Sequence, residues 1–260
     1  MPVSRNDAYL PERPAAVFDL DGTLLRGDSF ARFLTRLLLR RPVRAVASIG
    51  SAPVLGAMLL LPVVRRRAIA GLLRLATVGL PGGAFDALVA EFAAGHATEA
   101  NRITVALDRL QAHLDAGDRV VIATGCAVPM AEALCRMIGL GAVEIVGARL
   151  DQGPGLPRPL RGCRMWSALP LATGRYSFGA EKVRRLSEHG ISLPVAYAYT
   201  NSVSDLPLLL AAKRQFLVDP ARGHARRVRA RTGPQCEVLR SMPGAAGSAG
   251  DRGEAPAPLA

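Results

Sequence analysis

The chain has 260 residues, half of them hydrophobic, and a formal net charge of +12, which is ample for one large domain or a core with a smaller companion. Lys182 and Lys213 are the only lysines among 33 basic residues. That arginine bias reads as a coding effect; without a recognition motif it argues against a nucleic-acid partner and favours anionic small molecules at long range. The four cysteines (Cys126, Cys135, Cys163, Cys236) are scattered without a C-x-x-C pair, and the polar start MPVSRNDAYLPERP carries no signal-peptide pattern. A disulfide framework or a cysteine zinc site is therefore not expected, and a cytoplasmic location is.

The first predicted strand is AAVFD (15–19), and it runs into D-L-D-G-T. Side chains at i and i+2 of a strand share a face, so Asp19 and Asp21 are expected to converge while Leu20 turns into packing. Two carboxylates that close need a cation, a shared proton or an ionising neighbour. Residues 28 to 104 follow, Arg- and Leu-rich, helical in character and without a convincing strand. Inserted directly after the Asp pair, they are read as a helical cap over it. Inside the cap, the stretch from Arg44 to Arg65 encloses twenty uncharged residues, a length that just reaches a membrane span. Gly50, Pro53, Gly56 and Pro62 break it into two short helices, so burial in the cap, or weak contact with a membrane surface over residues 45–64, is expected instead.

Beyond the cap, helices and strands alternate. Helices are predicted over 103–117, 129–141 and 179–190, each ending near a glycine. Strands are predicted over 119–123 (RVVIA), 143–148 (VEIVGA), 195–200 (VAYAYT) and 215–218 (QFLV). Such alternation implies a parallel sheet covered on both faces, with ligands bound beyond the carboxyl ends of its strands. The basic run 222–233 is read as a solvated arginine face. Residues 1–13 and the Gly/Pro/Ala-rich 241–260 are read as disordered tails.

Four separated pieces carry candidate chemistry: Asp19 and Asp21; Thr124 with the amides of Gly125 and Cys126; Lys182; and Asn201 with Asp205. Each sits at a strand end or helix start, where N–H groups and the helix dipole favour an anion. Plainer roles remain open for each. Asp19–Gly22 can be an ordinary turn, Thr124 and Asp205 can be helix caps, Lys182 a surface residue, and Cys126 a small buried one.

Taken in order, D-L-D-G-T (19–23), V-V-I-A-T-G-C (120–126), G-A-E-K-V-R-R-L (179–186) and A-Y-T-N-S-V-S-D-L-P (198–207) resemble the four motifs of the haloacid dehalogenase superfamily. The D-x-D-G-T form and the cap directly after it are most similar to the phosphoserine-phosphatase-like subfamily. The resemblance spans roughly residues 14–232 and implies a role for each residue. Asp19 would be the nucleophile, forming an aspartyl-phosphate, and Asp21 the acid and then the base. Thr124, Gly125 and Lys182 would hold the phosphate. Mg2+ would be bound by Asp19, the backbone carbonyl of Asp21 and motif-four side chains, here Asn201 and Asp205. The family usually has an aspartate where this chain has Asn201, so a weaker metal site is expected. Asp28, nine residues after Asp19, matches an acidic position that meets the substrate amine in phosphoserine-cleaving relatives; a helix N-cap is the other reading of it.

The expectation is thus an α/β fold: a Rossmann-like parallel sheet (14–27 and 105–235) with an inserted all-helical cap (28–104). Its function would be Mg2+-dependent hydrolysis of a small phosphorylated metabolite. The alternatives are a weak or silent phosphate-ligand-binding protein and a membrane-peripheral phosphatase for lipid head groups.

Overall fold

The computed structural model describes residues 13–40, 84–148 and 179–241, together with Ile49, Gly50, Pro53, Gly56, Ala57 and Ala76. In chain order the elements are β1 (Ala15–Phe18), α1 (Ser29–Leu39), α2 (Ala84–His96), α3 (Thr104–Asp115), β2 (Arg119–Ala127), α4 (Val128–Met137), β3 (Glu144–Ala148), α5 (Ala180–Glu188), β4 (Val195–Thr200), α6 (Leu206–Leu210), β5 (Ala212–Val218), α7 (His224–Thr232) and β6 (Glu237–Leu239). Short 3-10 turns precede α3 and α6.

The six strands form one parallel sheet ordered β3-β2-β1-β4-β5-β6. Chain progression reverses direction between β1 and β4, and a sheet of this kind opens a crevice at that switch, outside the carboxyl ends of the strands. Phe18 lies level with Ile122 on β2 and with Tyr199 on β4. The residues after Phe18, Ile122 and Tyr199 therefore meet at one edge of the sheet.

Because both faces are covered, the central strands are nearly continuous apolar runs. Phe18, Ile122, Tyr199 and Phe216 point to one side and pack with α1 to α4. Val17, Val121, Ala198 and Leu217 point to the other and pack with residues of α5, α6 and α7, including Leu186, Leu208 and Val228. On the first side Phe18, Tyr199 and Phe216 stack across three strands. Their ring centroids lie 4.1 and 4.4 Å apart, and the planes are within 8° of parallel.

The helix α1 begins at Asp28, whose carboxylate accepts from the Ala31 amide at 2.8 Å, satisfying one of the orphan donors of a helix start. Its apolar residues recur at helical spacing, and Phe33, Leu34, Leu37 and Leu38 are buried. Phe33 meets Phe85 and Phe92 of α2 edge-on, and Arg36 and Arg40 of α1 pair with Glu91. The apolar cluster runs without interruption from these helices to Met130 and Leu134 of α4. Among the described residues of 28–104 there is no strand, and no described helix is long and apolar enough to cross a membrane. The uncharged stretch 45–64 lies almost wholly outside the described residues, as do both predicted tails apart from Arg13 and Ser241.

The structure departs from the predicted strands by more than one residue at three places. β2 continues to Ala127 instead of ending at Ala123, because its pairing with β3 slips there: Ala123 faces Val146 and Ala127 faces Ala148. β5 starts at Ala212, three residues earlier than expected, where the sequence is mixed polar and apolar. β6, unanticipated, adds three residues, pairing Phe216 with Glu237. A three-residue edge strand is too short to show a periodicity.

Candidate active site

At the carboxyl edge of β1 the chain turns tightly. The carbonyl of Leu20 accepts from the amides of Leu24 and Leu25, each at 3.0 Å, so the strand geometry stops before Asp21. Gly22 sits at φ +77°, a conformation that favours glycine. A side chain there would also collide with the Asn201 amide. The loop after β1 and the loop after β4 are thus pressed together.

Asp19 follows β1 with its amide donating to the Tyr199 carbonyl at 2.9 Å. Its carboxylate accepts from the Lys182 ammonium at 2.7 Å, and the same ammonium donates to Asp205 at 2.7 Å. All three are buried, with Lys182 only 1 % exposed. Lys182 reaches this point from the first turn of α5, which starts at Gly179 with φ +58°. A Cβ on Gly179 would stand 3.2 Å from the Ser204 carbonyl, so the glycine lets α5 lie close to the turn that carries Asp205. Thr200 donates to the same Asp205 oxygen at 3.0 Å. The other, Oδ1, is buried without a hydrogen-bond partner among the described residues.

The two aspartates of D-L-D are near enough for the charge of Asp21 to raise Asp19, but they take different hydrogen-bond partners. Asp19 takes the ammonium, whereas Asp21 turns to the start of α1. Its Oδ1 accepts from the Ser29 hydroxyl at 2.5 Å and the Ser29 amide at 3.2 Å. Burial pushes Asp19 up to about 7, against the pull of Lys182 and with the push of Asp205. Burial likewise raises Asp21 to about 6, although Ser29 opposes it. Desolvation also works against the Lys182 charge, yet its two carboxylates win and its pKa is raised.

Thr124 is fully buried on β2, just past the residue level with Phe18. It lies inside the slipped stretch of β2, together with Gly125 and Cys126. Its hydroxyl oxygen accepts from the Cys126 amide at 3.0 Å. That amide is spoken for, which corrects the expectation that it faces an anion. Thr124 caps no helix; α4 starts at Ala127 without a side-chain cap. Cys126 is buried and burial raises its thiol well above the ordinary range, so it is a packed residue and not a nucleophile. Asp28 is exposed and engaged as the cap of α1, though near enough for its charge to raise Asp21.

Sequence reasoning missed Ser29 and Thr200 as partners of the acidic residues. Their only signal was a hydroxyl at a helix start and another at a strand end. It missed as well a second buried cluster, below the stacked rings: His113, whose Nδ1 lies 2.7 Å from Asp118 and whose Nε2 lies 2.9 Å from the Tyr199 hydroxyl.

Several solved structures share this architecture. A protein of unknown function from Bordetella pertussis Tohama I is 24 % identical, with a TM-score of 0.64 over 88 % of this chain and 98 % of the other. An apo phosphoserine phosphatase is 12 % identical, with a TM-score of 0.53 over 88 % and 94 % of the two chains. A phosphoserine phosphatase holding a phospho-aspartyl intermediate analogue is 12 % identical, with a TM-score of 0.50 over 88 % and 93 %. These likenesses establish the fold. The family model for haloacid dehalogenase-like hydrolases matches residues 16–210, spanning Asp19, Thr124, Lys182 and Asp205, and the chain belongs to that family of hydrolases.

Proposed function

We propose that the protein is a Mg2+-dependent phosphomonoesterase that works through an aspartyl-phosphate on Asp19. The observation that carries this reading is the buried ammonium of Lys182, 2.7 Å from both Asp19 and Asp205 at the switch point of the sheet. A compact ammonium there offsets the charge that a phosphoryl group and a carboxylate nucleophile bring together. A likeness to phosphoserine phosphatases, one of them holding a phospho-aspartyl analogue, supports the same chemistry.

In this reading an oxygen of Asp19 attacks phosphorus, and the bond from phosphorus to the ester oxygen breaks. Asp21 gives its proton to the departing alkoxide; with its pKa raised to about 6 it holds a proton nearer neutrality than an ordinary carboxyl. In the second half Asp21 takes a proton from water, whose oxygen attacks phosphorus. The bond to Asp19 then breaks, releasing phosphate and restoring the carboxylate. Lys182, with the hydroxyl of Thr124 and the amide of Gly125, holds the phosphoryl oxygens.

Among the described residues no three His, Cys, Asp or Glu side chains gather as a metal-holding cluster. The oxygens present nonetheless suit a hard cation: Asp19, the backbone carbonyl of Asp21, the Asn201 amide beside Gly22, and the unpartnered buried Oδ1 of Asp205. When bound there, Mg2+ would polarise the phosphoryl group and neutralise its charge. Substituting Asn201→Asp would add a third acidic side chain to Asp19 and Asp205 and is expected to lower the Mg2+ concentration for half-maximal activity about tenfold, by the gain of one charged ligand. An unchanged requirement would remove Asn201 from the metal set.

The test is phosphate release from p-nitrophenyl phosphate with Mg2+, inhibited by vanadate or fluoroberyllate. Asp19→Asn should drop it by at least about a thousandfold, as expected for loss of a covalent nucleophile. Turnover by Asp19→Asn would refute the mechanism. The second reading, a silent phosphate-binding protein, is favoured by Asn201 alone; it predicts ligand binding by the wild type without any phosphate release. For the substrate, an amino-bearing phosphomonoester is proposed from the location of Asp28. Asp28→Asn should then weaken binding of O-phosphoserine but not of glycerol phosphate.

A further inference from the structure

We propose that Ser29 is a positioning residue for Asp21, fixing which of its oxygens is tied to the start of α1 and which is left to face the leaving group; this rests on the reading of Asp21 as the acid. Ser29 is fully buried. Its hydroxyl and its amide both donate to Oδ1 of Asp21, at 2.5 and 3.2 Å. With Oδ1 taken up by both donors, Oδ2 is the oxygen left to exchange a proton with the substrate. The hydroxyl lies out of solvent and Asp21 partly so, which strengthens such a contact.

The local chain supplies both donors without loss elsewhere. Asp28 caps α1 at Ala31, and the amide of Ser29, at the first helical position, has no partner within the helix. It is free to serve Asp21, eight residues back.

A neck of paired backbone holds Ser29 in register with the core. Leu25 bridges to Asp21 on one side and to Arg102 on the other. The Arg26 amide donates to the Asn101 carbonyl at 2.7 Å, and the Ile103 amide to the Leu24 carbonyl at 3.0 Å. The chain leaves for α1 and returns toward α3 through this neck, immediately beside the acid. The orientation of Asp21 is therefore set by the first residue of α1 and not by the sheet.

Leaving-group dependence separates this role from a structural one. The value of kcat/KM reports the first half-reaction only, in which a poor leaving group needs the proton and p-nitrophenolate does not. With Mg2+, Ser29→Ala should lower kcat/KM for glycerol phosphate on the order of 10–100-fold, the scale of lost general acid catalysis, and for p-nitrophenyl phosphate no more than about threefold. Ser29→Thr, which keeps the hydroxyl, should restore the first value. An equal loss on both substrates, or no loss on either, overturns the proposal. Asp21→Asn is the control: if it too treats the substrates alike, the assignment of the acid fails; if it splits them and Ser29→Ala does not, only the role of Ser29 fails. Should Ser29→Ala not fold, Ser29→Cys, which offers a far weaker donor at similar size, is expected to give the same split, and a uniform effect from it overturns the proposal equally.

Discussion

His113 and Lys182 are both buried and charged or chargeable, and both reach toward β4, yet their surroundings are finished to different degrees. Each ring nitrogen of His113 has its own partner, Asp118 at 2.7 Å and Tyr199 at 2.9 Å. Lys182 must serve two carboxylates at once, and one oxygen of Asp205 is left with nothing to bond among the described residues. Buried polar groups are as a rule satisfied, and a satisfied network stiffens the core around it. The completed cluster locks the ring of Tyr199 between Phe18 and Phe216, one residue before Thr200 and Asp19. The incomplete one keeps an unmet demand for positive charge where chemistry is proposed.

The comparison breaks most severely if the shared cation is removed. Lys182→Met should leave two buried carboxylates facing each other. It should destabilise the protein by about 3–5 kcal/mol, as when one partner of a buried ion pair is lost, and abolish phosphate release. Unchanged melting would mean that the carboxylates are neutral without it.

A smaller effect follows from pH. Asp19 and Asp21 lie near 7 and 6 in the folded chain because burial disfavours their charge; both return to the ordinary carboxyl range on unfolding. The folded state therefore binds more protons between those limits. The stability this confers is present in acid and is lost as pH rises through 6 to 7. Without added metal, Tm should fall by roughly 5 °C between pH 5.5 and 8, a scale set by a kcal/mol or two in a chain of this size. Asp19→Asn should flatten the slope, and a Tm that rises over this range would contradict it.

The smallest effect should come from the completed cluster. Tyr199→Phe removes the hydroxyl and leaves a ring nitrogen of His113 unpartnered, costing about 1–3 kcal/mol. Since the stacked rings stay in place, kcat/KM should change by less than about threefold, well below the loss expected where a reacting group is touched. A large loss of activity at unchanged Tm would mean that His113 acts on the site directly.

Much of this was legible in the sequence because the pocket is built from strand ends. An apolar run that stops at Asp19, a Lys182 three residues after Gly179 and the turn with Asp205 each announce a terminus, and a parallel sheet gathers its carboxyl termini along one edge. What could not be read depends on how loops fold back. The hold of Ser29 on Asp21 follows a curl of the chain at Leu20 that alternation does not announce. The Cys126 amide was lost to Thr124 through a slip in pairing with β3. Ser29 and His113 owe their roles to partners whose placement no local pattern encodes.

The contact between Lys182 and Asp19 joins residues 163 apart in the chain. Closing so distant a contact comes late in forming a parallel sheet, and synthesis runs from the amino end. A ribosome-bound fragment that has completed α1 to α4 would hold both aspartates and Ser29 but neither the ammonium nor Asp205. On the proposed mechanism, a fragment that ends before Lys182 would lack hydrolytic capacity, which would arrive when α5 and the β4 turn dock.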